Sequence, residues 1–338
     1  MNLQEHIDLK NYTTMQIGGT ARYFMKLGVA NDIDKIAKFI EEKSLSHYVL
    51  GGGSNTIFSD RGFDGLVIFN QLLGFEITDE SDKHCALKIG AGESWDEVVA
   101  KTVEMNLSGI EALSAIPGTA GATPVQNVGA YGQEIADVLV GLDAYDFKNK
   151  EMITMNHADC KFSYRDSIFK STDKNRYLIT SISLRLNKTH LKPPFYSSLQ
   201  KHLDNNQIEE YSPANIRAAV VDVRKSKLPS PDLIANSGSF FKNPIVTSDF
   251  FKQFLISHPG VPHFDVEDGV KIPAGWLIEE AGLKGIKSGH FSTYNLNSLV
   301  ITNDGEGSFS ELIEFVKYIQ SEIEQKFSIT IEPEPNLL

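Results

Sequence analysis

The residues able to do chemistry gather in a few short runs. In Asn236-Ser237-Gly238-Ser239-Phe240-Phe241-Lys242-Asn243-Pro244 a hydroxyl stands between a glycine and two phenylalanines, with an amine and an amide just beyond. Gly-Ser before the aromatics and Asn-Pro after them fit a strand whose backbone approaches something closely at one end and stops at the other. The run therefore reads as a docking site. A second run, Gly51-Gly52-Gly53-Ser54-Asn55, follows a short strand-like segment. Glycines there serve a tight turn as readily as a phosphate. The usual phosphate loops are excluded, because no Gly-Lys-Ser/Thr ending is present and the glycines do not open a long helix. A glycine loop between two strands still presents successive N–H groups, a concave nest that suits a pyrophosphate without net positive charge, with Ser54 and Asn55 as added donors. A third run, Pro117-Gly118-Thr119-Ala120-Gly121-Ala122-Thr123-Pro124, leaves room for backbone to approach a flat ring where side chains are missing.

The elements that must position these runs are of mixed type. Residues 21–27 read as a strand, and Asn31 opens a helix with Ile33, Ile36, Ala37 and Ile40 on one apolar face. HYVL then leads as a strand into the glycines, and TIFSDRGFDGLVIF returns to strand, so that a β-α-β unit has a glycine-rich exit. CALKIGAG is a further strand, followed by Ser94 and Glu97 at capping-box spacing before a helix carrying Val98, Val99, Val103 and Met105. Residues 108–132 form a long stretch of small residues that is neither helix nor amphipathic strand. Loops of that length in a compact domain are functional or disordered, and Ile116, Val125, Val128 and Tyr131 with no charge run favour function. Strand-like segments alternate with turns from about residue 138 to 190. After Pro229 a separate α/β segment ends in a helix with a Ser308/Glu311 capping box and a buried stripe of Leu312, Phe315, Val316, Ile319 and Ile323.

Size and composition bound the function. The 338 residues fit two or three domains at roughly 100–200 residues each. A net charge of −12 argues against a protein that lives on nucleic acid or an anionic membrane, although Arg224-Lys225-Ser226-Lys227 makes a local basic patch. No apolar run of about 18 residues spans a bilayer, and the polar N-terminus lacks a signal-peptide pattern, so the expected location is cytoplasmic. Cys85 and Cys160 have no metal or redox spacing and read as buried thiols, and the nine histidines, with His258 and His263 flanking a Pro-Gly loop, form no metal pattern.

Taken together, Asn11-Tyr12-Thr13-Thr14, Ile17-Gly18, GGGSN, IPGTAGATPVQNVGAYG, FSYRDSIFK, KLPSPD, NSGSFFKNP, PAGWLIEEAGLKG and IEPEP resemble, in order and over nearly the whole chain, the UDP-N-acetylenolpyruvoylglucosamine reductase family. The resemblance implies an α+β fold: an FAD-binding region of the vanillyl-alcohol-oxidase (PCMH) type over 17–189, in two lobes, plus a C-terminal α/β substrate-binding domain. Lobe one is about 1–72 plus the C-terminal strand 328–338, lobe two about 73–228, and the substrate domain 229–327. It implies non-covalent FAD held by Gly51, Gly52, Gly53, Ser54, Asn55, Thr56, Pro117, Gly118, Thr119, Gly121, Ala122, Thr123, Gln126, Asn127 and Gly129, with NADPH as co-substrate. The implied activity is reduction of UDP-N-acetylglucosamine enolpyruvate to UDP-N-acetylmuramate, a cytoplasmic step toward peptidoglycan, by a monomer.

That reaction makes demands that the residues can be set against. Hydride delivered to the terminal methylene carbon leaves carbanion character beside a carboxylate, which requires a fixed cation and a proton donor. Arg165 in Phe162-Ser163-Tyr164-Arg165-Asp166 matches a carboxylate with two parallel hydrogen bonds, although a surface Arg-Asp pair would look the same in sequence. Ser239 corresponds to the proton donor; a buried serine bonded to backbone is the commoner use of the residue in a strand. Phe240 and Phe241 would pack the strand and exclude water. Glu334 of Ile331-Glu332-Pro333-Glu334-Pro335 corresponds to the third catalytic group. Here the chain departs from the family pattern, continuing Pro335-Asn336-Leu337-Leu338 in place of an apolar residue and an arginine, so the closing strand is expected at an edge or to stop at the proline. Tyr164, Lys227 and Asn243 are implied substrate contacts. So is Tyr196, in PPFYSSL, which resembles the extra tyrosine loop of one subclass. Two other readings stand beside this one: another flavoprotein oxidase of the same superfamily, against which no histidine is placed for covalent flavin, and a non-catalytic nucleotide binder.

Overall fold

The computed structural model describes residues 2–338, which divide into two compact units. The first comprises 2–7, 21–53 and 63–226; the second comprises 8–20, 54–62 and 227–338. Residues 8–20, 54–62 and 328–338, placed with lobe one in the sequence reading, make their contacts in the second unit.

The first unit holds two larger sheets and a two-stranded hairpin, Gly129–Ala130 with Gln133–Glu134. In one, strands Thr20–Leu27 and Ser46–Leu50 both run parallel to Phe63–Asn70, which lies between them, with Leu3–Asp8 on the outer side of Thr20–Leu27. Helix Ile33–Lys43 makes the crossover. It buries Ile33 and Ile36 against Met25, Leu27, Leu66 and Ile68, with Ala37 and Ile40 packed alongside. The other sheet is antiparallel, in the order Glu151–Asn156, Leu139–Asp146, Tyr177–Asn187, His84–Gly90, Phe75–Glu80. Register sets Leu142 opposite Ile182 and Ile182 opposite Ile89, a cross-strand apolar row that faces the Trp95, Val98 and Val99 side of helix Trp95–Glu104. Ser94 is the N-cap of that helix, but its side chain makes no capping hydrogen bond. The expected capping box does not form there. Helices Ser197–Asn205 and Pro213–Lys225 pack Leu199 and Leu203 on Ile216, Ala219 and Val220. The second of these starts with Pro213 in its first turn and the Ser212 hydroxyl accepting from the Asn215 N–H.

The second unit is built around phenylalanine. Phe240, Phe241, Phe251, Phe254, Phe291, Phe315 and Phe327 share one core with Met15 and Ile17 from the early segment and Ile331 from the late one. A four-stranded sheet in the order Ala235–Ser239, Asn297–Asn303, Phe291–Tyr294, Lys287–Ser288 forms one side of it. Helix Phe309–Phe327 buries the whole expected stripe from Leu312 to Ile323, and its Ser308/Glu311 capping box is formed. The Asp60 carboxylate adds to that helix start, accepting from the Phe309 and Ser310 N–H groups at 2.7 and 3.0 Å. Cys85 and Cys160 are both buried free thiols, and burial pushes the Cys160 thiol up to about 12. His258 stacks on Phe254 with ring centroids 4.3 Å apart, and His263 lies tilted against Phe251 at 4.6 Å.

Candidate active site

In the first unit the small-residue stretch is an ordered strap. The chain from Leu113 to Gly121 runs back along Ala91–Asp96. The Gly121 N–H donates to the Ala91 carbonyl at 2.9 Å, the Ala120 N–H to Glu93 at 2.8 Å, and the Trp95 N–H to Gly118 at 3.0 Å, with a bridge between Ser94 and Thr119. The Trp95 indole donates to the Leu113 carbonyl at 3.1 Å. The strap then meets the glycine run. A Cβ at Gly52 would lie 2.8 Å from the Gly118 Cα, and one at Gly51 would lie 2.6 Å from the Thr119 Oγ1 and 3.3 Å from the Ala122 Cβ. Two main chains therefore touch where side chains are missing, which is the requirement for a cradle whose walls are peptide groups. Gly51, Gly118, Thr119, Gly121 and Ala122 are half-buried, Gly52 and Pro117 are exposed, and Gly53 and Thr123 are buried. These residues fit a flat dinucleotide held by backbone. The Thr123 hydroxyl instead turns inward to the Ala120 carbonyl at 2.7 Å.

Downstream, Asn127 spends its side chain on the loop. Its Nδ2 donates to Glu134 Oε2 at 2.8 Å and to the Ser163 carbonyl at 3.2 Å, while its Oδ1 accepts from the Ala136 N–H at 3.1 Å. Its amide thus holds the Ser163-Tyr164-Arg165-Asp166 turn, in which Ser163 and Asp166 bond each other's backbone and Arg165 sits at φ 55°. The Arg165 guanidinium donates to the Gly129 carbonyl at 2.5 Å and the Asn127 carbonyl at 3.4 Å, and lies 5.4 Å from the Tyr164 ring centroid. These carbonyl acceptors help to orient the guanidinium. Gln126 is half-buried on the same loop, with Lys170 Nζ 3.5 Å from its Oε1. Tyr196 is 44% exposed at the start of its helix and meets Tyr131 edge to face at 6.0 Å.

The second unit gathers the other expected residues. Segment Phe240–Lys242 pairs with Glu332–Glu334: the Lys242 N–H donates to the Glu332 carbonyl at 2.9 Å, the Glu334 N–H to the Phe240 carbonyl at 2.8 Å, and Phe241 bridges Pro333. This ladder uses a carbonyl at 332 and an N–H at 334 and asks nothing of Pro333, so the Pro-Glu-Pro alternation suits it. Ser239 and Glu334 are thereby held within one residue of the same rung. Past Pro335 pairing resumes with a new partner, Asn336–Leu337 running parallel to Thr56–Ile57. The strand does not stop at the proline. The Asn55 carbonyl accepts from the Asn336 N–H at 2.9 Å, and Asn55 Nδ2 lies 3.5 Å from the Glu334 carbonyl, so Asn55 and Thr56 flank the glutamate; Ser54 is half-buried beside them. Ser239 is exposed and Glu334 half-buried, whereas Phe240 and Phe241 are 0% and 2% exposed. Gly238 is required by its φ of 73°, since a Cβ there would meet open space. The Asn243 Oδ1 accepts from the Ala274 N–H at 2.9 Å, capping helix Ala274–Glu280, and Lys227 is exposed.

Comparison with known proteins decides what these loops belong to. A family model described as the C-terminal domain of UDP-N-acetylenolpyruvoylglucosamine reductase matches residues 229–338, and one described as an FAD binding domain matches 21–156. A UDP-N-acetylenolpyruvoylglucosamine reductase of Flavobacterium johnsoniae is 38% identical over 340 residues, covering 100% of both chains. The chain belongs to the UDP-N-acetylenolpyruvoylglucosamine reductase family. A second reductase of this name, from Ralstonia nicotianae, is 39% identical and covers 98% of each chain. The crystal structure of the Thermus caldophilus reductase covers 100% of this chain and 99% of its own with a TM-score of 0.70 at 23% identity, so the α+β FAD-binding fold with a C-terminal domain is shared across the family. What the sequence reading of this reductase-family chain missed is the Ala91–Asp96 segment that pins the strap. Its one visible sign was Trp95, a large side chain in a run otherwise read only as a helix start.

Proposed function

We propose that this protein reduces UDP-N-acetylglucosamine enolpyruvate to UDP-N-acetylmuramate through non-covalent FAD, with NADPH as electron donor, as a cytoplasmic monomer of the subclass carrying the tyrosine loop. Residues 17–189 hold the cofactor and 229–327 the nucleotide sugar. The observation that supports the reading is the ladder that pairs Phe240, the neighbour of Ser239, with Glu334 on a phenylalanine core, in a chain related over its full length to reductases of this name.

Bound FAD supplies the route by which a hydride from NADPH reaches the terminal methylene carbon of the vinyl ether. Glycines 51–53 and residues 117–123 hold the dinucleotide by main-chain contact, with Ser54, Asn55, Thr56, Gln126, Asn127 and Gly129 completing its binding. Arg165 holds the substrate carboxylate, and its positive charge stabilises the electron pair that develops on the adjacent carbon. Ser239 gives its hydroxyl proton to that carbon and regains one from solvent. A serine is a weak acid, but a carbanion beside a carboxylate is a strong base, so the transfer is downhill. Glu334 anchors the reacting group together with Arg165. Tyr164, Tyr196, Lys227 and Asn243 bind the rest of the nucleotide sugar.

The test is optical. The purified protein is expected to be yellow, to bleach with NADPH in the absence of oxygen, and to recolour when the enolpyruvyl nucleotide is added. A bleached protein indifferent to that nucleotide would point to another flavoprotein, and a colourless one that binds UDP-sugar would point to a binding module.

A further inference from the structure

Helix Pro213–Lys225 carries no residue of the expected site, yet one of its arginines reaches the strap. The Arg217 guanidinium grips the Asp96 carboxylate with two parallel bonds, Nη1 to Oδ1 at 2.6 Å and Nη2 to Oδ2 at 3.1 Å. The same Oδ1 accepts from the Ala115 N–H at 2.6 Å. Ala115 is the residue where the strap turns toward Pro117-Gly118-Thr119, and it does so at φ 56°, a left-handed conformation that an alanine adopts only when its surroundings impose it. One carboxylate therefore both holds the strained N–H and is itself held by a planar fork that fixes its rotamer. Burial raises the Asp96 carboxyl, but Arg217 and the Ala115 N–H outweigh it and keep the group below its ordinary value, so the carboxylate is ionised at neutral pH.

We propose that Arg217 and Asp96 are positioning residues for the cofactor: the pair clasps Ala115 in its left-handed turn and so presets the strap from Pro117 to Ala122 for FAD before FAD arrives. The inference rests on the functional reading above, because it takes the strap to be the flavin's seat. Main-chain bonds tie the strap to Ala91, Glu93 and Trp95, and the Ser114 hydroxyl bonds the Glu111 carbonyl, whereas this carboxylate is what accepts from the Ala115 N–H at the turn itself. A bidentate fork is a geometric hold as well as a charge, and a lysine at 217 would keep the second without the first.

The experiment strips FAD from wild type, Asp96→Ala, Asp96→Asn, Arg217→Met and Arg217→Lys and measures FAD affinity on readdition, the visible circular dichroism of bound flavin, and the melting temperature of each apoprotein. Asp96→Ala is expected to weaken FAD by roughly 10-fold or more, the size of a lost charge-assisted hydrogen bond, and to alter the flavin dichroism. Arg217→Met should lose less, and Arg217→Lys should recover only part of the loss. Affinities within about twofold of wild type in Asp96→Ala overturn the clasp, since that loss is far below one such bond. So does a weaker affinity accompanied by an equal loss of apoprotein stability and an unaltered dichroism, which is the signature of a brace for the helix alone. If Asp96→Ala does not fold, Asp96→Asn and Arg217→Met decide by the same criteria. A wild-type apoprotein that takes up no FAD sinks the functional reading instead, a result distinct from variants that bind as well as wild type.

Discussion

The strap in the first unit and the Ser239 ladder in the second are built on opposite principles. The strap works by what it lacks: Gly52 and Gly118 bring two main chains into contact, and a methyl group added at Gly52 would collide with the Gly118 backbone. The ladder works by what it carries, with Phe240 and Phe241 buried so that Ser239 and Glu334 can be presented from a rigid base. Addition of atoms should therefore damage the first region and removal of atoms the second, and each direction can be tested.

The largest effect is expected from taking one oxygen off the ladder. Ser239→Ala should leave anaerobic bleaching by NADPH intact while slowing recolouring by roughly 10²- to 10⁴-fold, the range for a lost general acid. Near-normal recolouring would remove Ser239 from the chemistry. Next comes the base beneath it. Phe240→Ala deletes a ring that is 0% exposed and should cost about 3–5 kcal/mol in the second unit, read from denaturant midpoints. A loss under about 1 kcal/mol, the level of an ordinary surface substitution, would mean the ladder does not depend on its aromatic anchor. On the strap, Gly52→Ala should cost about 1–3 kcal/mol, the usual price of overpacking, and appear as weaker FAD binding with recolouring chemistry unchanged once flavin is saturating. An unaffected FAD affinity would show that the close approach to Gly118 is not what shapes the cradle. The smallest effect is on acidification. Because Asp96 is held below its ordinary value of 3.8, its contribution is complete above that pH and is lost as pH falls through the lower folded value. With the carboxylate partly exposed, this is worth less than about 1 kcal/mol, so the stability gap between wild type and Asp96→Ala should close only below pH 3.8. A gap that persists there would assign the effect to packing.

The two regions also differ in how far they were legible. The ladder's parts could be read because they are side chains: a Ser between Gly and Phe-Phe, and a Glu between prolines, are chemical statements in themselves. The helix stripe from Leu312 to Ile323 was equally open, since period and cap agreed. The strap could be placed, but its partners could not. Its hydrogen bonds to Ala91, Glu93 and Trp95 are main-chain bonds, which any sequence can make and no composition announces. Ser94 and Glu97 had the spacing of a capping box, yet Ser94 instead lies where the chain bridges Thr119, a tertiary contact overriding a local pattern. Arg224, read as part of a local basic patch, is half-buried and interacts with Tyr131. Charge alone did not say which way it would point.

The second unit draws on three separate stretches of chain, and its core needs Met15, Ile17 and Ile57 as much as Ile331. During translation the early residues must wait, undocked, while the ribosome makes more than half of the polypeptide. The Phe240–Lys242 segment cannot pair with Glu332–Glu334 until those residues have emerged. A fragment begun at residue 227 would lack three of its own core side chains, so severing the chain there should yield a sticky, incompletely condensed product instead of an autonomous module.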